Sequence, residues 1–153
     1  MNEIKTPAAP DISVIETLKS YSDTMTISQA VSLLNRFGCV VTKTMIQNYV
    51  RVSALPPPDG RRYTKNHLLM ILLIGHLKAV YSLDEIRALL ADSINKAFDN
   101  PSGFYMAEVY VEFCENYKNK KSNLNKTKRP LLDAAADCLA CKDYSAVRTV
   151  ENE

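Results

Sequence analysis

The chain has 153 residues, of which 46% are hydrophobic and 24% charged, as is typical of a globular protein that buries one core. Its beginning lacks the basic and apolar regions of a secretion signal, its longest apolar run (residues 68–75) is too short to cross a bilayer, and its net charge of +2 excludes a uniformly basic protein. We therefore expect a cytoplasmic protein with no membrane contact, whose four cysteines are thiols.

The charges are segregated along the chain. Residues 36–65 carry six Lys/Arg against one acid, and residues 117–129 carry six against none. The stretch between them, residues 66–116, carries three basic and seven acidic residues. This pattern predicts local electrostatic binding surfaces.

The first third of the chain predicts three short helices. Apolar residues at helical spacing indicate a helix near residues 12–18. The next helix has Thr26 or Ser28 as its N-cap, and Gly38 can end it in the left-handed conformation. The third begins after Thr42, another N-cap residue.

The third helix, predicted over residues 42–53, is amphipathic. Its polar face lies opposite its apolar face and comprises Lys43, Thr44, Gln47, Asn48 and Arg51. Three prolines and the turn signal Asp59-Gly60 follow, so we predict a short extended hairpin over residues 55–63.

The rest of the chain predicts four more helical features. Thr64 is the expected N-cap of a helix that is apolar almost all round and therefore central to the core. The next helix opens with a capping box at Ser82 and Glu85 and ends at residues 100–101. A helix over residues 101–118 follows, with an apolar stripe of Met106, Val109, Phe113 and Tyr117. After a basic loop, Pro130 opens a last helix that reaches about residue 141.

The polar helix has the side chains that read a DNA major groove. Gln47 and Asn48 can bond adenine bidentately, whereas Lys43 and Arg51 can reach guanine or phosphate. Thr44 can bind phosphate or contact a thymine methyl group. We predict that this helix is a recognition helix.

The basic hairpin has the composition of a DNA-contacting wing. Arg61 and Arg62 suit backbone phosphate or a minor groove, Tyr63 can pack beneath them, and Lys65 adds positive charge. The order helix, turn, helix, hairpin, buried helix is that of a winged helix-turn-helix.

Four motifs, "TISQAVSLL", "TMIQNYVRVSALPPP", "RRYT" and "SLDEIRALL", resemble the MerR-type regulators. The chain is most similar to an uncharacterised bacterial family of MerR-like proteins, in which "LTKTMINNY", "LPPP", "KKKYSKEH" and "LSINDIKTLL" recur. The resemblance covers residues 12–92. It implies a DNA-binding transcription regulator, usually dimeric. MerR-type regulators usually carry Arg and Tyr where Gln47 and Asn48 stand here.

These inferences predict an all-α protein with a small β wing, a MerR-like winged helix-turn-helix followed by a C-terminal helical dimerisation segment. The expected divisions are an N-terminal arm with a short helix (1–24), the DNA-binding domain (25–92) and the helical segment (93–153). The expected partners are double-stranded DNA and a second copy of the chain, with a small-molecule effector as a further possibility. The alternatives are a protein–protein interaction module on the same fold and an architectural DNA-bending protein.

Other sequence features carry less chemistry. No glycine-rich phosphate loop, nucleophile elbow or metalloprotease motif is present, so we expect neither enzymatic activity nor a cofactor. Cys138 and Cys141 have CxxC spacing without further ligands nearby, and we interpret them as small buried thiols and expect no metal. His67 and His76 are expected to be structural. The stripe at residues 104–117 favours dimerisation over a ligand pocket.

Overall fold

The chain is mostly helical with one small two-stranded sheet, in a computed structural model that describes residues 9–99, 104–124 and 126–151. This confirms the coarse fold class. The described helices are α1 (Ser13–Lys19), α2 (Ile27–Arg36), α3 (Lys43–Arg51), α4 (Lys65–Leu77), α5 (Leu83–Asp99), α6 (Tyr105–Leu124) and α7 (Pro130–Glu151). The strands are β1 (Thr24–Met25) and β2 (Tyr63–Thr64). The predicted arm at residues 1–8 and the predicted helix stop at residues 100–101 lie outside the described residues.

Helix α4 forms the centre of the core. Residues 66–74 are all buried, because this helix packs against α2, α5, α6 and the sheet. A helix that is apolar all round can satisfy its surface only when neighbours cover it on every side. The core residues extend from Val14 on α1 to Cys114 on α6. The division expected after residue 92 falls inside α5, which continues without a break to Asp99.

The predicted N-caps position the helices. Thr26 accepts a hydrogen bond from the backbone N–H of Gln29, whose side chain accepts one from the Thr26 N–H. Thr42 caps α3 in the same way through the N–H of Met45, and Thr64 caps α4. Gly38 follows α2 with φ +83°. The cap predictions are therefore confirmed, with Thr26 rather than Ser28 as the cap of α2.

Replacing Thr26 by alanine should lower the free energy of unfolding by about 1 kcal/mol, because the first turn of α2 loses its side-chain acceptor. Ser28→Ala is the matched control, since Ser28 lies exposed inside the helix, and it should change stability by less than about 0.5 kcal/mol. Urea unfolding followed by circular dichroism measures both values. Equal losses in the two variants would contradict the assignment of the cap.

The sheet differs from the predicted hairpin. Residues 55–58 form no strand; one isolated bridge joins Asp59 to Arg62 around Gly60, which has φ +62°. β2 instead pairs antiparallel with β1, with Thr24 opposite Thr64 and Met25 opposite Tyr63. The three prolines have no backbone N–H to donate to the hydrogen-bond ladder of a sheet. β2 therefore pairs with β1, which lies before α2 in the sequence. The hairpin prediction over residues 55–63 is therefore wrong except for its tight turn.

The C-terminal helices are longer than predicted. α6 continues to Leu124, so much of the stretch expected to be a basic loop is helical, and α7 runs to Glu151 rather than to about residue 141. The buried face of α6 is Met106, Tyr110 and Cys114, whereas Tyr117 is 38% exposed. The predicted stripe is thus only partly correct, and it packs against α4 of the same chain because α4 needs cover on that side.

None of the helices in the described part of the chain combines the length and the apolar character that crossing a bilayer requires.

Candidate nucleic-acid interface

The exposed face of α3 carries the predicted base-reading residues. Lys43, Thr44, Gln47 and Arg51 are exposed, and Asn48 is half-buried at the edge of the same face. Ile46 and Tyr49 point the opposite way and are buried. This separation follows from the helical period, which sends residues 43, 47 and 51 to one side and residues 46 and 49 to the other. Within the described residues, no hydrogen bond or ion pair engages the side chains of Lys43, Thr44 and Gln47.

Asn48 and Arg51 form a pair on this face. The Arg51 guanidinium donates to the Asn48 Oδ1 over 2.6 Å, at a spacing of three residues. This bond uses the amide oxygen and leaves the Asn48 NH₂ as a donor. The side chains of Arg51 and Asn48 therefore orient each other, whereas Gln47 beside them is unconstrained by either.

The turn at residues 59–62 presents two arginines. Both Arg61 and Arg62 are exposed. The Arg62 guanidinium donates to the hydroxyl of Thr24 over 3.2 Å and to the Thr24 carbonyl over 3.1 Å, which fastens the turn to β1. Arg61 makes no such bond within the described residues, so its charge points to solvent.

Contacts with α4 hold the segments on both sides of α3 in place. Cys39, in the connection that leads to α3, lies where a Cβ on Gly75 would come within 3.2 Å of its sulfur, near the end of α4. Beyond α3, the carbonyls of Pro56 and Pro57 lie 3.2 and 3.3 Å from the Nε2 of His67, in the first turn of α4. The ammonium of Lys78, just past the end of α4, lies 3.4 Å from the hydroxyl of Tyr49, so α3 itself is also in contact with this end of α4.

His67 holds the proline segment that precedes the turn against the first turn of α4. Its Nδ1 accepts the backbone N–H of Thr64 over 3.1 Å, so its Nε2 carries the proton that is donated to the proline carbonyls. The side chain is 8% exposed, and burial lowers its pKa below the ordinary 6.5, against the smaller opposing effect of the two carbonyls. The expected structural role is confirmed.

Two predicted contact residues are placed less favourably. Tyr63 is 5% exposed and packs edge-on against the His67 ring at 5.4 Å between centroids. Lys65 is mostly covered, with its ammonium 3.7 Å from a carboxylate oxygen of Asp23 and 5.9 Å from the centroid of Phe104. Both side chains are therefore engaged within the protein and are less available to a partner than Arg61 is.

Acidic residues are nearly absent from the part of the sequence that forms α3 and the turn. The stretch from Thr24 to residue 58 contains no Asp or Glu, and Asp59 in the turn is the one acid between Thr24 and Lys65. We refer to five exposed side chains of α3 and the turn together as the basic edge: Lys43, Gln47, Arg51, Arg61 and Arg62. Bringing these positive charges near a cationic surface would cost free energy, whereas bringing them near phosphates would be favourable.

The other predicted features lie away from this edge. The Nε2 of His76 lies 3.1 Å from the Tyr110 hydroxyl, so its predicted role as a hydrogen-bonded core residue is confirmed. Cys138 and Cys141 are exposed on α7, so the prediction of buried thiols is wrong: only one side of this helix packs on the fold. No three His, Cys, Asp or Glu side chains in the described segments come together as ligands for a metal ion.

Sequence reasoning did not identify the long-range bonds that hold the site in place. Thr24 lies 38 positions before Arg62, and no local pattern points to that bond. His67 did have a signal, because Thr64 and His67 stand at the capping-box spacing with histidine in the place usual for Glu or Gln.

The fold defines a small helical domain with a two-stranded sheet, in which a helix with a polar face is followed by a basic turn. The chain belongs to the family described as Domain of unknown function (DUF1836), whose model matches residues 21–113 and so covers the sheet, α2 to α5 and the first half of α6. No MerR or helix-turn-helix family matches, so the expected assignment to the MerR-like regulators is wrong. The motifs that the chain shares with the MerR-like regulators, capped short helices and a run of prolines, are therefore not enough to place it in that family. No curated protein and no solved structure matches the chain.

Proposed function

We propose that the protein is a sequence-specific DNA-binding protein that regulates transcription, with α3 as its recognition helix. The observation that carries this proposal is the exposed face of α3, on which Lys43, Gln47 and Arg51 line up over two turns within a stretch, residues 24–58, that contains no Asp or Glu. A major groove admits one α-helix, and amide and guanidinium side chains are the groups that read base edges there.

The turn at residues 59–62 supplies the second part of the proposed contact and acts as a wing in the coarse sense of a loop beside the recognition helix. Arg61 presents a guanidinium to solvent, and phosphate contacts of this kind position a protein on the duplex without reading its sequence. Arg62 is fastened to Thr24, so the turn is held in place before DNA arrives. Preorganisation reduces the ordering cost of binding.

The roles of the individual residues differ within this proposal. Lys43 and Arg61 contact phosphates, and Gln47 reads a base edge. Arg51 positions Asn48, whose NH₂ remains available as a donor. Because Asn48 is half-buried and bonded to Arg51, its side chain extends less far from α3 than that of Gln47 and is held more rigidly.

A fluorescence-polarisation titration with random-sequence duplex DNA at several salt concentrations tests this function. We expect binding whose logarithm falls linearly with the logarithm of salt concentration, by about 0.9 per phosphate contacted. Lys43→Ala/Arg61→Ala should weaken binding on the order of 10-fold per side chain and flatten the salt slope. Arg87→Ala/Lys96→Ala on the exposed side of α5 changes the net charge equally and should leave binding nearly unchanged.

Base reading is tested separately with selection from randomised duplexes. Gln47→Ala should relax the preference at one base pair, by the equivalent of about 1–3 kcal/mol, while non-specific binding persists. Absence of binding by the wild-type protein at low salt would overturn the proposed function. The basic edge would then be explained as part of a protein–protein interaction module. Equal losses in the α3 and α5 double variants would overturn the location of the contact.

A further inference from the structure

The side of α7 that faces away from the fold carries large apolar side chains. Leu132 and Leu139 are each 64% exposed, and they stand one heptad apart on the same face. α7 borders α6 at an open cleft that Asp133, Ala136 and Asp137 line together with Lys120, and Ala136 lies exposed at the rim of this cleft. Large apolar side chains that remain exposed along one helix face indicate an interaction site.

The stripe that contains these leucines is self-complementary in charge. Counting from the residue that caps α7, it comprises Arg129, Leu132, Ala136, Leu139 and Asp143, at spacings of three, four, three and four residues. The backbone carbonyl of Arg129 accepts from the Asp133 N–H, which fixes Arg129 as the start of the helical register. The stripe thus has a positive end, an apolar middle with a small residue at its centre, and a negative end.

We propose that this stripe docks on the same stripe of a second copy of the chain, with the two α7 helices antiparallel. A two-fold axis beside Ala136 places Arg129 of each copy opposite Asp143 of the other, and Leu132 of each copy beside Leu139 of the other. A parallel arrangement would place like charges together at both ends. A partner surface must carry the same charges and apolar residues in reverse order, and the same stripe on an antiparallel second copy does so.

The structure also argues against the other candidate dimer surface, which is the apolar stripe of α6. The buried face of α6, with Met106, Tyr110 and Cys114, packs within its own chain against α4. The leucines of α7 are the large apolar side chains that are left most exposed on the described helices. The dimer does not depend on DNA binding, so its test needs no nucleic acid.

Sedimentation equilibrium of the full chain is the test. We expect a mass twice the 17.2 kDa of one chain, with dissociation on dilution. Leu132→Ser/Leu139→Ser should weaken the dimer on the order of 100-fold or more, since each copy loses two buried leucines. Leu131→Ser is the matched control, because Leu131 is 88% exposed but lies off the stripe, and it should leave the dimer intact.

The register is tested by charge exchange. Arg129→Asp alone and Asp143→Arg alone should each weaken the dimer roughly 10-fold, and the double variant should restore it, because the opposite charges meet again with exchanged positions. A wild-type monomer at all concentrations would overturn the proposal and leave the stripe to a different protein. A dimer that survives Leu132→Ser/Leu139→Ser, or a double charge exchange that fails to rescue either single variant, would overturn it as well.

Discussion

Leu69→Ala should lower the free energy of unfolding by about 2–5 kcal/mol, which is a large part of the roughly 5–15 kcal/mol that stabilises a domain of this kind. Leu69 is fully buried in the middle of α4, at the centre of the one core that joins α1 to α6. The substitution removes the apolar contacts of the side chain and leaves a cavity that helices on several sides would have to close together.

Leu89→Ala on α5 is the matched control for this effect. Leu89 is 38% exposed, so the same chemical change should lower stability by less than about 1.5 kcal/mol. Urea unfolding at a fixed temperature gives both values from the midpoint and the slope. A loss at Leu69 no greater than that at Leu89 would contradict the central position of α4 in the core.

The stability of the protein should fall as the pH is lowered through the range just below 6.5, because His67 and His76 are held neutral in the fold. Burial lowers the pKa of both imidazoles below the ordinary value of 6.5. In that range the unfolded chain binds protons that the folded chain does not, so the free energy of unfolding rises with pH there and levels off above 6.5. Below the folded-state pKa values, the histidines cause no further loss.

His67→Gln separates the contribution of His67 from that of His76. Glutamine at this position can still accept the Thr64 N–H as the third residue of a capping box, but it does not titrate and it cannot reproduce the ring that reaches Pro56 and Pro57. At pH 8 the variant should be about 1 kcal/mol less stable than the wild type. Its stability should also depend less on pH between 5 and 7. The measurement is urea unfolding at a series of pH values.

His76→Gln is the control for this second prediction. It should remove the remaining part of the pH dependence together with the hydrogen bond to Tyr110, and leave the turn at residues 59–62 in place. If His67→Gln retained the full pH dependence of the wild type, the lowered pKa of His67 in the folded protein would be contradicted.

The local patterns of the sequence determined much of the helical framework. Thr26, Thr42 and Thr64 were identifiable as N-caps because an N-cap needs only a hydroxyl at the right place beside its own helix. The apolar run of α4 identified the central helix, since no other position can satisfy such a surface. The polar face of α3 was equally readable from the helical period alone.

Only the tertiary structure decided how distant segments meet. The pairing of Thr24–Met25 with Tyr63–Thr64 involves strands of two residues, which are too short to show a period. The bond from Arg62 to Thr24 and the bonds from His67 to the prolines likewise join residues that no local rule relates.

The same reason explains the errors about the C-terminal half. Whether an apolar stripe is covered by its own chain or left exposed depends on which neighbours reach it, and periodicity carries no such information. α6 packs against α4, whereas Leu132 and Leu139 on α7 remain 64% exposed in the described fold. The sequence by itself determined which faces of the helices are apolar, polar or charged, and the packing around α4 decided which of those faces remain available to a partner.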